Sequence, residues 1–197
     1  VTNEVSAALS RDSQGVCAVA SLDALVRELP EPSVGETLVV LAQGRDPGNV
    51  GTIIRTADAF GAVGVIAVAG TVDASSPKVV RASVGSVFHI PVRVVPSFEE
   101  ARALVHGRGA ALLGTSGGGG SVDLAQMFVQ GVSARSRLSQ SHAWVFGNEA
   151  KGLSGDDMRL CDALVSIPMS GDAESLNVAS AAATCLFASQ TVRGLHS

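Results

Sequence analysis

Short apolar runs alternate with polar, glycine-bearing breaks along most of the chain. Residues 38–42 are uninterrupted apolar, as expected of a parallel strand buried on both faces. Gly44, Asp46, Pro47 and Gly48 break that run, and Asn49 is placed to cap the helix that follows. This helix, over about 50–60, carries Ile53, Ile54 and Ala57 at helical spacing and stops at Gly61. The next apolar run, 63–69, completes a strand–helix–strand unit. The pattern then repeats. Ser76-Pro77 opens a short helix to Arg81, 90–95 reads as extended, and Ser97-Phe98-Glu99-Glu100 is a capping-box sequence opening a helix to about His106. Three more strands are expected over 110–115, 143–146 and 163–167, followed by an alanine-rich helix over about 176–192. The alternation predicts an α/β fold, a mostly parallel sheet with helices on both faces. Residues 117–120 read as a flexible turn and 130–141 as a polar, serine-rich connection containing Arg135 and Arg137.

The chain has 197 residues, 46% hydrophobic and only 16% charged, enough apolar material for one domain core and too much for a disordered chain. No apolar run approaches bilayer-spanning length, so no membrane partner is expected. Cys17, Cys161 and Cys185 are dispersed, and the four histidines are equally scattered. That pattern predicts reduced thiols in a cytoplasmic protein and no metal site. The mixed, polar first eleven residues predict no signal peptide. A formal charge of −4 provides no global basic field, so a nucleic-acid role needs a local cationic site.

Ligands of an open parallel sheet gather beyond the carboxyl ends of its strands. Four loops there are rich in glycine or polar residues: 43–49, 115–120, 147–155 and 168–177. Common motifs fail in them. Gly48-Asn49-Val50-Gly51 is not a dinucleotide fingerprint, no Walker lysine follows a glycine loop, and no GxSxG elbow exists.

Three segments do carry a specific resemblance. Residues 46–61 (DPGNVGTIIRTADAFG), 145–153 (VFGNEAKGL), and Ile167-Pro168-Met169 with 174–179 (ESLNVA) resemble, in order, the three motifs of the TrmH-like RNA 2′-O-ribose methyltransferases of the SPOUT superfamily. The resemblance covers most of residues 38–190. It implies a deep trefoil knot in the C-terminal segments, bound S-adenosylmethionine, an RNA substrate (ribosomal RNA favoured over transfer RNA) and an obligate homodimer. Periodicity shows none of these. It also implies that residues 1–32 are the tail of an N-terminal RNA-binding domain plus a linker, with the catalytic domain over 33–197.

The same resemblance assigns residues. Gly147, Ile167 and Leu176 would contact the cofactor, joined by Thr115, Ser116 and Met169; the plain alternative makes Ile167 and Leu176 core residues. Arg55 corresponds to the family's catalytic arginine. Its guanidinium is always charged and so suits orientation and oxyanion stabilisation rather than proton abstraction. The plain alternative is an i,i+3 pair with Asp58. Asn49, Ser175 and Asn177 could simply begin helices, and Glu149 could pair with Lys151; the resemblance puts all four in the active site. Lys78, Arg81, Arg135 and Arg137 are candidate phosphate contacts. Two other classes stay open, a nicotinamide-dependent α/β oxidoreductase and a non-catalytic RNA-binding module.

Overall fold

The computed structural model describes residues 2–9, 18–25, 27–118, 120–133 and 136–195. Cys17 and Arg135 lie outside them. The strands are β1 (Thr37–Leu41), β2 (Gly64–Val68), β3 (Val92–Val95), β4 (Ala111–Thr115), β5 (Val122–Asp123), β6 (His142–Phe146) and β7 (Ala163–Ser166). They form one sheet in the order β3-β2-β1-β6-β4-β7-β5, and every neighbouring pair runs parallel. The helices are α1 (Asn3–Leu9), α2 (Pro47–Ala59), α3 (Pro77–Ser83), α4 (Phe98–Gly107), α5 (Leu124–Ser133), α6 (Gly155–Leu160) and α7 (Val178–Gly194).

Side-chain alternation divides the interior into two layers. Val39, Leu41, Val65, Trp144 and Phe146 pack with α2, α3, α5 and α7 on one face. Leu38, Val40, Ile66, Ala143 and Val145 pack with α4 and α6 on the other. Because both faces are covered, the central strands read as continuous apolar runs instead of alternating ones.

Local sequence explains most element ends. Helix α2 begins earlier than expected: Asp46, not Asn49, is its N-cap, and Asp46 Oδ1 accepts from the Asn49 amide at 2.8 Å. Pro47 occupies the first helical position, where its missing N–H costs nothing, and this moves the start forward. At Gly51 a Cβ would stand 2.6 Å from that of Ala82, so glycine lets α3 lie directly against α2. Four of these elements were not anticipated, α1 among them. β5 is only two residues long, and α6, opened by the Ser154 cap, is six. α5 occupies part of what reads as a connection, with Gly131 pressed against Val192 of α7.

The segment before the sheet is not detached from it. Leu25 is buried in the core, and Arg27 donates to the carbonyls of Phe88 and His89 at 2.6 and 2.7 Å. Glu28 pairs with Arg93. At the amino ends of the strands, fully buried His142 joins β6 to α7. Its Nδ1 lies 2.8 Å from the Gln140 carbonyl, which can only accept, so that nitrogen carries the proton. Nε2 then accepts from the Ser189 hydroxyl at 2.7 Å, and Trp144 Nε1 donates to the same oxygen at 2.8 Å. Every polar atom of this network has a partner.

Candidate active site

The carboxyl ends of β4, β6 and β7 converge with the amino end of α7 around a cavity of about 350 Å³. Thr115 and Ser116 leave β4, with Thr115 Oγ1 donating to the Val145 carbonyl at 2.8 Å and the Ser116 amide to that of Val165 at 3.0 Å. These bonds hold the ends of three adjacent strands together.

The loop after β6 is folded back on itself. Asn148 and Gly152 exchange backbone bonds at 2.9 and 2.8 Å, while Asn148 Oδ1 accepts from the amides of Ala150 and Lys151. Gly147 faces this hairpin so closely that a Cβ would overlap the backbone of Gly152 and Leu153. Gly152 itself has a φ of +66°, a conformation that glycine adopts without strain. The wall of the cavity is therefore largely backbone.

Glu149, at the tip, is not paired with Lys151. Its carboxylate accepts from the amides of Asp46 and Arg45 at 3.1 and 3.4 Å. This ties the β6 loop to the turn that starts α2. Asn177 joins the start of α2 to α7: its Oδ1 caps α7 by accepting from Ala179 and Ser180, and its Nδ2 donates to Asn49 Oδ1 at 3.0 Å. A helix cap is thus also a bridge between the amino ends of α7 and α2.

Gly147, Ile167, Leu176, Thr115, Ser116 and Met169 all line the cavity, as do Glu149 and Ser175. Asn49 and Asn177 sit beside it, joined to each other. Arg55 does not line it; the residue lies six positions further along α2, on the exposed stripe it shares with Thr52 and Ala59. The i,i+3 pair with Asp58 does not form, because Asp58 faces His89. Among the described residues Arg55 makes no hydrogen bond or ion pair. Leu176 and Met169 are large apolar side chains left 41% and 42% exposed at the cavity.

Sequence reasoning passed over Asn148, Lys151, Leu153, Val165 and Glu174, which also line the cavity. Their signal was present, since all but Val165 fall within or beside the quoted motifs. Met158 enters from α6, whose existence was not anticipated. Among the described residues no three His, Cys, Asp or Glu gather into a metal-sized cluster. No helix of the described residues is long and apolar enough to cross a membrane.

Comparison with known proteins adds a second line of observation. The profile of the SpoU rRNA Methylase family matches residues 36–187. The chain is 40% identical over 154 residues to the 23S rRNA (uridine(2479)-2′-O)-methyltransferase of Streptomyces viridochromogenes, covering 76% of this chain and 50% of that protein. It is 37% identical over 171 residues to the 23S rRNA (guanosine(2553)-2′-O)-methyltransferase RlmP of Bacillus subtilis, covering 83% and 62%. Among solved structures, the SpoU methyltransferase AviRb from Streptomyces viridochromogenes superposes with a TM-score of 0.73 at 35% identity, over 88% of this chain and 63% of that one. The AdoMet-bound rRNA methyltransferase from Sinorhizobium meliloti gives 0.71 at 39% identity, over 82% and 58%. The chain thus spans between half and two thirds of each of these proteins.

Proposed function

The chain belongs to the SpoU rRNA methylase family, and from that premise we propose that it transfers a methyl group from S-adenosylmethionine to a ribose 2′-hydroxyl of ribosomal RNA. One observation carries the reading: the second and third motifs line a single cavity walled by the Gly147–Gly152 hairpin, and the first is tied to them through the Glu149–Asp46 and Asn177–Asn49 hydrogen bonds. Its volume, about 350 Å³, falls at the lower end of the range of about 300–1,000 Å³ common to small-molecule sites. Backbone at Gly147, the apolar side chains of Ile167, Leu176 and Met169, and the hydroxyls of Thr115 and Ser116 fit a ligand with an aromatic base, a ribose and a flexible tail.

When bound, S-adenosylmethionine supplies an electrophilic methyl group. The work left to the protein is to orient the ribose and favour loss of its hydroxyl proton. Arg55, always cationic and without a hydrogen-bond or ion-pair partner among the described residues, suits a target phosphate or the developing oxyanion. Glu149 fixes the turn from which α2 departs, and so the helix that carries Arg55. The joined pair Asn49 and Asn177, with Ser175, presents amide and hydroxyl groups at the mouth where the ribose would enter.

The reading extends to assembly and topology. After β7 the chain passes from the face covered by α6 to the face covered by α7, sharing the cavity with the 147–153 loop on the way. This path is consistent with the trefoil knot expected of the family. A homodimer is supported by the apolar flank of α7, where Phe187 packs edge-on against Phe60 at 6.1 Å yet is 53% exposed. Ribosomal RNA as partner accords with a cytoplasmic location, and residues 1–32 with the tail of an RNA-binding domain and its linker. Neither competing class finds a supporting observation, since the cavity lacks a dinucleotide fingerprint and the motif residues are intact.

The test is direct. Calorimetry with S-adenosylmethionine should show binding that Gly147→Ala removes, and labelled methyl should pass to ribosomal RNA in preference to transfer RNA. Binding without transfer to any RNA would overturn the catalytic reading.

A further inference from the structure

Arg55 and Asp58 are three residues apart on α2, the spacing at which opposite charges on a helix pair. They do not pair here. Asp58 Oδ2 instead receives the Nδ1 of His89 at 3.2 Å, and Arg55 is left exposed without a partner among the described residues. His89 is itself held from behind. Its carbonyl and that of Phe88 both accept from Nη2 of Arg27, and its amide donates to the Ser86 carbonyl at 2.9 Å. The turn that delivers it contains Val84, the one non-glycine residue with positive φ among those described, at +50°. A β-branched residue is disfavoured in that conformation.

We propose that His89 is a positioning residue for Arg55: by occupying the Asp58 carboxylate, it keeps the arginine's charge available to RNA. The proposal rests on the catalytic reading of Arg55 given above. His89 donates from Nδ1 whether the ring is neutral or cationic, so its protonation state is not part of the argument. Without it, Asp58 swings to the guanidinium one turn earlier and competes with phosphate. Arg27, in the segment ahead of the sheet, supports the same link by fixing the His89 backbone.

The experiment reads Arg55 directly in the full-length protein, without substrate. Phenylglyoxal attacks free guanidinium groups faster than paired ones, and mass spectrometry reports the rate at this residue. His89→Ala should slow modification of Arg55 by about two- to fivefold, the scale of an exposed ion pair. His89→Asn, which places an amide donor near the Nδ1 position, should stay near wild type. Adding Asp58→Asn to His89→Ala should restore the rate. The KM for RNA should follow the same order while the affinity for S-adenosylmethionine stays constant. An unchanged Arg55 rate in His89→Ala, or no recovery on adding Asp58→Asn, would overturn the proposal. Absence of methyl transfer by the wild type would instead overturn the catalytic reading, leaving the modification rates to judge His89 alone.

Discussion

At the amino ends of the strands, Glu36 and Arg108 form a two-pronged pair at 2.6 and 2.8 Å, with Glu36 fully buried and Arg108 nearly so. Toward the carboxyl ends, Glu149 has only backbone amides, and Arg55, partway along α2, is exposed, with no side-chain partner for either among the described residues. The two ends of one sheet therefore use charge in opposite ways. One end closes its buried carboxylate against a fixed cation; the other, the open end, leaves charged and polar groups exposed around the cavity described above. Substitutions at the first end should change stability and spare chemistry, and those at the second should do the reverse. This also answers the acidic overall charge, because the local disposition of cations rather than their sum decides whether RNA can be held.

The largest effect is expected at the closed end. Glu36→Gln leaves the Arg108 guanidinium buried without a countercharge, which should cost about 3–5 kcal/mol in denaturant unfolding at neutral pH. The affinity of the folded variant for S-adenosylmethionine should change less than twofold. Burial alone would raise the Glu36 carboxyl, but its bonds from Arg108 and Ser33 outweigh this and hold it below its ordinary value. The stabilisation is therefore complete above the unfolded glutamate range and lost only as pH falls through the lower folded value.

At the open end, Arg55→Ala should lower kcat for methyl transfer by about 10²–10³-fold, as for loss of a transition-state donor. Its unfolding free energy should stay within about 0.5 kcal/mol of wild type, since the residue is exposed and has no partner among the described residues. A large stability change with modest loss of transfer would reverse the assignment.

His142 tests the closed end through pH. Burial pushes its imidazole down to about 4, so the folded protein keeps it neutral where the unfolded chain, with a value of about 6.5, takes up a proton. Stability should be level above that unfolded value and decline below it by about 1.4 kcal/mol per pH unit until the folded value is reached. Between pH 6.5 and 5 the wild type should lose about 1.5 kcal/mol more than His142→Asn does.

The smallest effect separates the two duties of Asn177. Serine caps helices well but is too short to reach Asn49. Asn177→Ser should hold stability within about 0.5 kcal/mol while reducing transfer about tenfold, a difference of about 1.4 kcal/mol in barrier. Equal losses in both would reduce Asn177 to a structural cap.

The sequence made the sheet and its two helical layers legible because both faces of the central strands are buried, giving unbroken apolar runs at 38–42 and 63–69. Elements too short to develop a period, β5 and α6, escaped, and so did α5 inside a stretch whose downstream half is polar. The residues around the cavity were legible only through motif resemblance, since Gly147 or Leu176 alone carries no chemical signature. Spacing on α2 suggested that Arg55 would meet Asp58. The partner that prevents this, His89, is 31 residues away and is brought in by the fold. Long-range hydrogen bonds such as Asn49 to Asn177, 128 residues apart, likewise have no local trace.

The central claim is that the open end delivers a methyl group to a sugar oxygen. Full-length protein incubated with ribosomal RNA and labelled S-adenosylmethionine, followed by nucleoside mass spectrometry, tests it most directly. The account predicts label on the ribose of one nucleotide, as a 2′-O-methylnucleoside that resists alkaline cleavage on its 3′ side, and its disappearance with Arg55→Ala. Label on a base, or ribose label that persists in that variant, would contradict it.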